Sequence, residues 1–157
     1  MNKTLITIVT AALILLTSAR YTTPSDGRVG YQAPSLTLSN DDTTVQLQDF
    51  RGKYVVVTFW SSAQPVSRIA NAEMSEATAE SKIVHLAVNM DRSRGLFDQL
   101  IALDQLDGKA QFHIDLDAQE KVMESWRQKS GNFNSFLIDP KGKIVKLNPT
   151  PEDIARL

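Results

Sequence analysis

The stretch from Lys53 to Ala79 constrains the fold more than any other part of the chain. It opens with Lys-Tyr-Val-Val-Val-Thr-Phe-Trp, a nearly unbroken run of β-branched and aromatic residues ending at Trp60. Such a run suits a strand buried on both faces, as at the centre of a parallel sheet. From Val66 onward, Val66, Ile69, Ala70 and Ala77 fall at helical spacing, with Arg68, Glu73, Glu76 and Glu80 mostly elsewhere. That pattern predicts an amphipathic helix with those apolar residues as its buried stripe. A short polar turn lies between strand and helix, and Pro65 suits the first helical position. Many α/β proteins put their chemistry at such a strand–turn–helix junction.

The rest of the chain supplies a sheet around this unit. Leu36-Thr-Leu38 and Val45-Gln-Leu47 alternate around a polar turn and predict an amino-terminal hairpin. Lys82 to Asn89 reads as a second buried strand, which makes a right-handed βαβ unit with the first. Ser93 to Leu106 carries Leu96, Phe97, Leu100, Ile101 and Leu103 on a helical face, and Asp107-Gly108 is a stop signal. Gln111 to Ile114 predicts a short strand. Asp117, with Glu120 three residues on, predicts the cap of a helix presenting Val122, Met123 and Trp126. Ser135 to Ile138 and Lys143 to Leu147 read as strands around a compact turn, and Thr150-Pro151 opens a final short helix.

Phe59-Trp60-Ser61-Ser62-Ala63-Gln64-Pro65-Val66-Ser67-Arg68 resembles the thioredoxin-fold pattern Phe-Trp-Ala-x-Trp-Cys-x-x-Cys-Arg. Gly131-Asn132-Phe133-Asn134-Ser135-Phe136-Leu137-Ile138-Asp139 resembles the same family's Gly-Val-Pro-Thr-Thr-Phe-Leu-Ile-Asp. The resemblance is to the TlpA/ResA-like, AhpC/TSA-related thiol-disulfide proteins found outside the cytoplasm, and it runs from about Gly30 to Asp153. It implies an α/β thioredoxin-like fold: a central mixed β-sheet flanked by helices, with an amino-terminal β-hairpin. It also places Gln64 and Ser67 where the family has its two cysteines, and Phe133 where it has a cis-proline. A cis bond before a non-proline residue costs about 2.5–4 kcal/mol, so a trans bond is expected at Phe133.

Composition then removes the family's reaction. The chain of 157 residues contains no cysteine. Thiol–disulfide exchange needs a thiolate attacking a sulfur, and neither a glutamine amide nor a serine hydroxyl can do this. No catalytic residue is therefore assigned. The docking groove that the resemblance implies would be lined by Trp60, Gln64, Ser67, Phe133 and Asn134. Trp60 has an alternative role as a packed core residue, and Gln64 as a helix cap. A purely structural role in an envelope assembly is a further alternative. So is an oxidoreductase whose natural parent carries the cysteines, although serine or alanine is the usual replacement for a cysteine, not glutamine.

Other chemistries find less support. His113, Asp115 and Asp117 alternate and would share one face of a strand, but Asp117 has a capping role and no second histidine lies at ligand spacing. No metal or cofactor is expected. Ser61, Ser62 and Ser67 carry no sign of a Ser-His-Asp arrangement. His85 reads as a satisfied sheet residue, and Asp91-Arg92-Ser93-Arg94 as a solvated loop and helix start. The helix start near Pro65 to Ser67 could hold a small anion, as any helix start could. The net charge of −1 gives no electrostatic reason to expect nucleic acid.

Residues 1–19 read as a signal peptide. Lys3 is the positive flank, Leu5 to Leu16 the apolar core, and Thr17-Ser18-Ala19 the small residues before a cut. The run is short for a span of about 20 residues, which favours cleavage over a membrane anchor. Ala19 stands where a lipoprotein box would have cysteine, so lipidation is excluded. Residues 20–32, with Pro24, Gly27 and Gly30, read as a flexible spacer before a domain at 33–157. Together these readings predict a periplasmic or cell-envelope protein. Its expected partner is another envelope protein or an extended peptide, and it meets the membrane only through an uncleaved signal segment.

Overall fold

The computed structural model describes residues 24–41 and 43–157. The signal-peptide reading of residues 1–19 lies outside the described residues. Among those described, no helix is long and apolar enough to cross a membrane.

The apolar run becomes β3 (Val55–Trp60), buried along its whole length. It sits at the centre of a five-stranded sheet of order β5-β4-β3-β6-β7. β4 (Val84–Asn89) pairs with it in parallel, and β5 (Gln111–His113) is parallel to β4. β6 (Ser135–Ile138) lies antiparallel to β3 on its other side, and β7 (Ile144–Leu147) antiparallel to β6. β1 (Thr37–Ser39) and β2 (Thr44–Gln46) form the expected hairpin as a separate two-stranded sheet.

Strand alternation divides the core in two. Val55, Val57 and Phe59 face one side, where they meet Leu86, Val88, Phe136, Leu36 and Leu38 of the hairpin region, and Trp126. Trp126 stands 5.4 Å from Phe59 and 5.1 Å from Phe136 between ring centroids. It follows α3 (Leu116–Ser125), which packs Val122 and Met123 on the same cluster. On the opposite face, Val56 meets Met74 of α1 (Pro65–Thr78) and Ile154 of α4 (Pro151–Ile154). Trp60 packs there with Ala87 and with Phe97 and Leu100 of α2 (Arg94–Leu103).

Helix α1 begins at Pro65 as expected, but its buried stripe is not the apolar one. Val66 is 81% exposed and Ile69 57%. The side facing the sheet carries Ser67, Asn71, Met74 and Thr78. The physical reason is that the sheet offers hydrogen-bond partners at this interface. Asn71 and Gln111 exchange two amide bonds of 3.1 and 3.2 Å, and the Gln111 Nε2 also donates to the Ser75 Oγ at 3.3 Å. His85 reaches Thr58 Oγ1 at 3.1 Å and Ser75 Oγ at 3.4 Å. A buried polar stripe is stable when each group is paired, and apolar periodicity does not register it.

Three further readings change. In α2 only Phe97 and Leu100 of the predicted stripe are buried, while Leu103 is 70% exposed. The cap position of α3 is held by Asp115, not Asp117, which lies in the first turn where a carboxylate suits the helix dipole. The segment 24–32, read as a flexible spacer, is bound into the domain. Gly27 N donates to Ser125 O, Gly30 N to Ile144 O, and Asp26 pairs with Arg28 and Arg127. Gly27 also passes so close to the Trp126 backbone that a Cβ there would stand 2.4 Å from its carbonyl carbon. The last helix is capped as predicted, with Thr150 and Asp153 bonding reciprocally.

Candidate functional site

Parallel β3 and β4 end together, and the turns that follow them meet. β3 runs into Ser61-Ser62-Ala63-Gln64 and then α1, while β4 runs into Met90-Asp91. The loop before β6 comes alongside. Gln64 occupies the position before the helix with extended backbone, but its side chain does not cap α1. It crosses instead to that loop, where its Oε1 accepts a hydrogen bond of 3.1 Å from the Phe133 backbone N–H. Its Nε2 is buried and has no hydrogen-bond partner. Gly131, at φ 83°, lies close by, and a Cβ there would come within 3.7 Å of that nitrogen.

Gln64 and Phe133 are therefore a joined pair. A proline at 133 would have no N–H to offer. Phe133 introduces one in a half-buried loop, and Gln64 supplies its acceptor. The Phe133 ring is half-buried and packs against the large core cluster. Its peptide bond is trans, since the described residues contain no cis peptide bond.

Of the other three predicted groove residues, Trp60 and Ser67 are buried and Asn134 is half-buried. Trp60 is fully buried against Phe97, with ring centroids 6.2 Å apart, so its core reading holds and it lines no groove. Ser67 is 4% exposed; its Oγ accepts from Ser61 N at 3.2 Å and donates to Gln64 O at 2.9 Å. That hydroxyl fastens the turn to the first turn of α1. Asn134 is tied into the entry to β6. Its N–H donates to Gln128 Oε1 at 2.8 Å, its carbonyl accepts from Phe59 N, and Asn148 Nδ2 donates to its Oδ1 at 2.9 Å. Of the five residues, the structure brings Gln64 and Phe133 into direct contact and uses the others as supports.

Asp91, which reads in the sequence as part of a solvated loop, is a buried organiser of this site. Its carboxylate accepts the Ser62 N–H, with 3.0 Å to each oxygen, the Ser62 hydroxyl at 3.0 Å, and Asn89 Nδ2 at 2.9 Å. Its carbonyl oxygen accepts from His113 Nε2 at 2.9 Å and from Gln119 Nε2. One signal could have found it: Asp91 follows a buried strand parallel to β3 and so falls at the same end of the sheet as Gln64. His113 is thereby committed to a carbonyl, and the described residues hold no group of three side chains placed to bind a metal.

Beside the turn, the exposed side of α1 presents Val66 and Ile69. Arg68 between them pairs with Asp104 past the end of α2. The Arg68 guanidinium holds the Asp104 carboxyl below its ordinary range. This surface joins an apolar pair to a neutralised ion pair.

A parallel core strand feeding this turn, with the hairpin and the loop before β6, defines a thioredoxin-like domain, and the chain carries no cysteine anywhere in it. The chain belongs to the AhpC/TSA family, which matches residues 29–147. It is 28% identical over 137 residues to peroxiredoxin Bcp of Bacillus subtilis (strain 168), covering 75% of this chain and 82% of that one. Solved structures agree. A thioredoxin-like protein from Parabacteroides distasonis superposes with a TM-score of 0.69 at 24% identity, covering 84% of this chain and 95% of its own. The thioredoxin domain of a thiol-disulfide oxidoreductase from Bacteroides vulgatus gives 0.67 at 27%, covering 82% and 94%. A thiol:disulfide interchange protein from a Bacteroides species gives 0.69 at 26%, covering 82% and 86%. This chain has the fold without the thiols, and thiol–disulfide exchange cannot occur on it.

Proposed function

We propose that this protein is an exported, redox-inactive thioredoxin-like module that binds an extended segment of another envelope protein at the surface around the start of α1. The observation that carries the reading is the exposure of Val66 and Ile69, 81% and 57%, on the helix that opens the former thiol site. These side chains are not needed for the core, since α1 docks through Ser67, Asn71, Met74 and Thr78. Export rests on the apolar segment Leu5 to Leu16 with Lys3 before it and small residues after.

The test is site-specific photo-crosslinking in the native envelope fraction. A photoreactive side chain at position 66 is compared with one at Lys121, on α3 of the other sheet face. A discrete adduct from position 66, lost in an Ile69→Asp variant that folds normally, is the expected result. Adducts from position 121 alone, or none from either, overturn it.

The competing reading is a thiol-disulfide oxidoreductase whose natural parent carries cysteines at 64 and 67. The names of the structural relatives favour it. The fit between Gln64 Oε1 and the Phe133 N–H speaks against it, because a residue placed only to delete a thiol has no reason to satisfy the one donor that the missing proline exposes. The intact mass of protein from its native source separates the two.

A further inference from the structure

A second cleft lies at the other end of the central sheet. It has a volume of about 930 Å³ and opens between the start of β3, the loop leading into β4, and α4. β3 separates it from Gln64 by about 20 Å, the length of a six-residue strand. Its wall is aliphatic and aromatic: Tyr54, Ala77, Ile83, Ile154 and Leu157. No Asp or Glu side chain lines it, yet Lys53 and Lys82 do. Neither lysine makes an ion pair among the described residues. Lys53 and Lys82 are also absent from the side-chain hydrogen bonds of the described residues, as is the Tyr54 hydroxyl.

The other large cleft, of about 580 Å³ between α1 and the segment after α2, is the opposite in charge. Glu76, Asp107, His85 and the Arg68-paired Asp104 line it, and no lysine or arginine does. The basal cleft thus combines a volume within the usual range for a small-molecule site with two exposed lysines, a tyrosine hydroxyl and an apolar wall. A ligand that satisfies all of these has an anionic head and a hydrocarbon body.

We propose that this cleft binds a single-chain fatty carboxylate. The head takes Lys53, Lys82 and the Tyr54 hydroxyl, and the chain lies on Ile83 and Ile154. The site does not depend on the former thiol region or on what binds there.

The test titrates the folded protein with decanoate, below its micelle-forming concentration, and follows backbone amide shifts by NMR. Decyltrimethylammonium and phosphatidylglycerol vesicles are the comparisons. The expected result is saturable shifts confined to residues 52–54, 81–84 and 154–157. Kd is expected to rise about tenfold in K53Q/K82Q. Both lysines are exposed, so the variant should keep the parent spectrum elsewhere. The single variants K53Q and K82Q, each expected to weaken binding by a smaller factor, serve if the double variant does not. Non-saturable shifts, equal binding by decyltrimethylammonium, unchanged affinity in the lysine variants, or binding to vesicles without decanoate binding would each overturn the proposal.

Discussion

Acidification should weaken this fold through His85, and the size of the effect follows from where the ring sits. His85 is 7% exposed between β3 and α1, with Thr58 at Nε2 and Ser75 at Nδ1. Both partners are neutral, so no carboxylate compensates an imidazolium there. Burial pushes the ring down to about 4 from its ordinary 6.5. The unfolded chain takes up the proton first as pH falls, and the folded chain resists it. The contribution is therefore complete above about pH 6.5 and is lost progressively as pH falls towards 4. The full difference corresponds to about 3 kcal/mol, of which about 2 kcal/mol is gone by pH 5. That is a large share of the 5–15 kcal/mol typical of a domain.

The assay is urea unfolding at intervals from pH 7 to pH 4, on the protein and on His85→Gln, which keeps a polar but non-titrating side chain beside Thr58 and Ser75. The carboxylates held low by cationic partners, such as Asp26 and Asp153 at about 2, lose their contributions further into acid. The limb between pH 7 and pH 5 therefore belongs to His85. A flat wild-type profile over that limb, or the same slope in the variant, would show that burial of His85 does not set the acid sensitivity.

Asn71→Ala removes half of the reciprocal amide pair with Gln111 and leaves the buried Gln111 Oε1 without its donor, while Nε2 keeps Ser75. It should cost about 1–3 kcal/mol in urea unfolding, whereas Val66→Ala on the outer face of the same helix should stay within about 0.5 kcal/mol. Trp60→Ala should cost about 3–5 kcal/mol, since the indole is fully buried against Phe97 and Ala87. Gln64→Cys/Ser67→Cys should form an internal disulfide, detected as a loss of two mass units and of free thiol on oxidation. Failure to close would mean that these are not the positions of the family's thiol pair.

What was legible in the chain was set by long, unambiguous signals. The run at 55–60 could only be a central strand, and the hairpin, the strand after Lys82 and the capped final helix followed from alternation and caps. The resemblance that sets Gln64, Ser67 and Phe133 at the family's thiol and proline positions rests on Gly131 and the Phe59-Trp60 frame. Two things were not. The α1 stripe was misread because its docking surface is a hydrogen-bonded polar layer, and periodicity of apolar residues cannot see the partners waiting in β4 and β5. The Gln64–Phe133 bond joins residues 69 positions apart, and no local pattern encodes it. Residues 24–32 looked like a linker because Gly and Pro resemble one. Gly27 is instead small because it runs against the Trp126 backbone.

Gln64 acts as a structural partner of the loop at Phe133 through its Oε1. Hydrogen exchange of the Phe133 amide measures this directly, in the protein and in Gln64→Ala, with Ala70→Gly as a variant destabilised to a similar extent elsewhere. The Phe133 amide is expected to be protected in the parent and in Ala70→Gly and to exchange much faster in Gln64→Ala, while amides of β3 change little. Equal protection of Phe133 in all three proteins would contradict it.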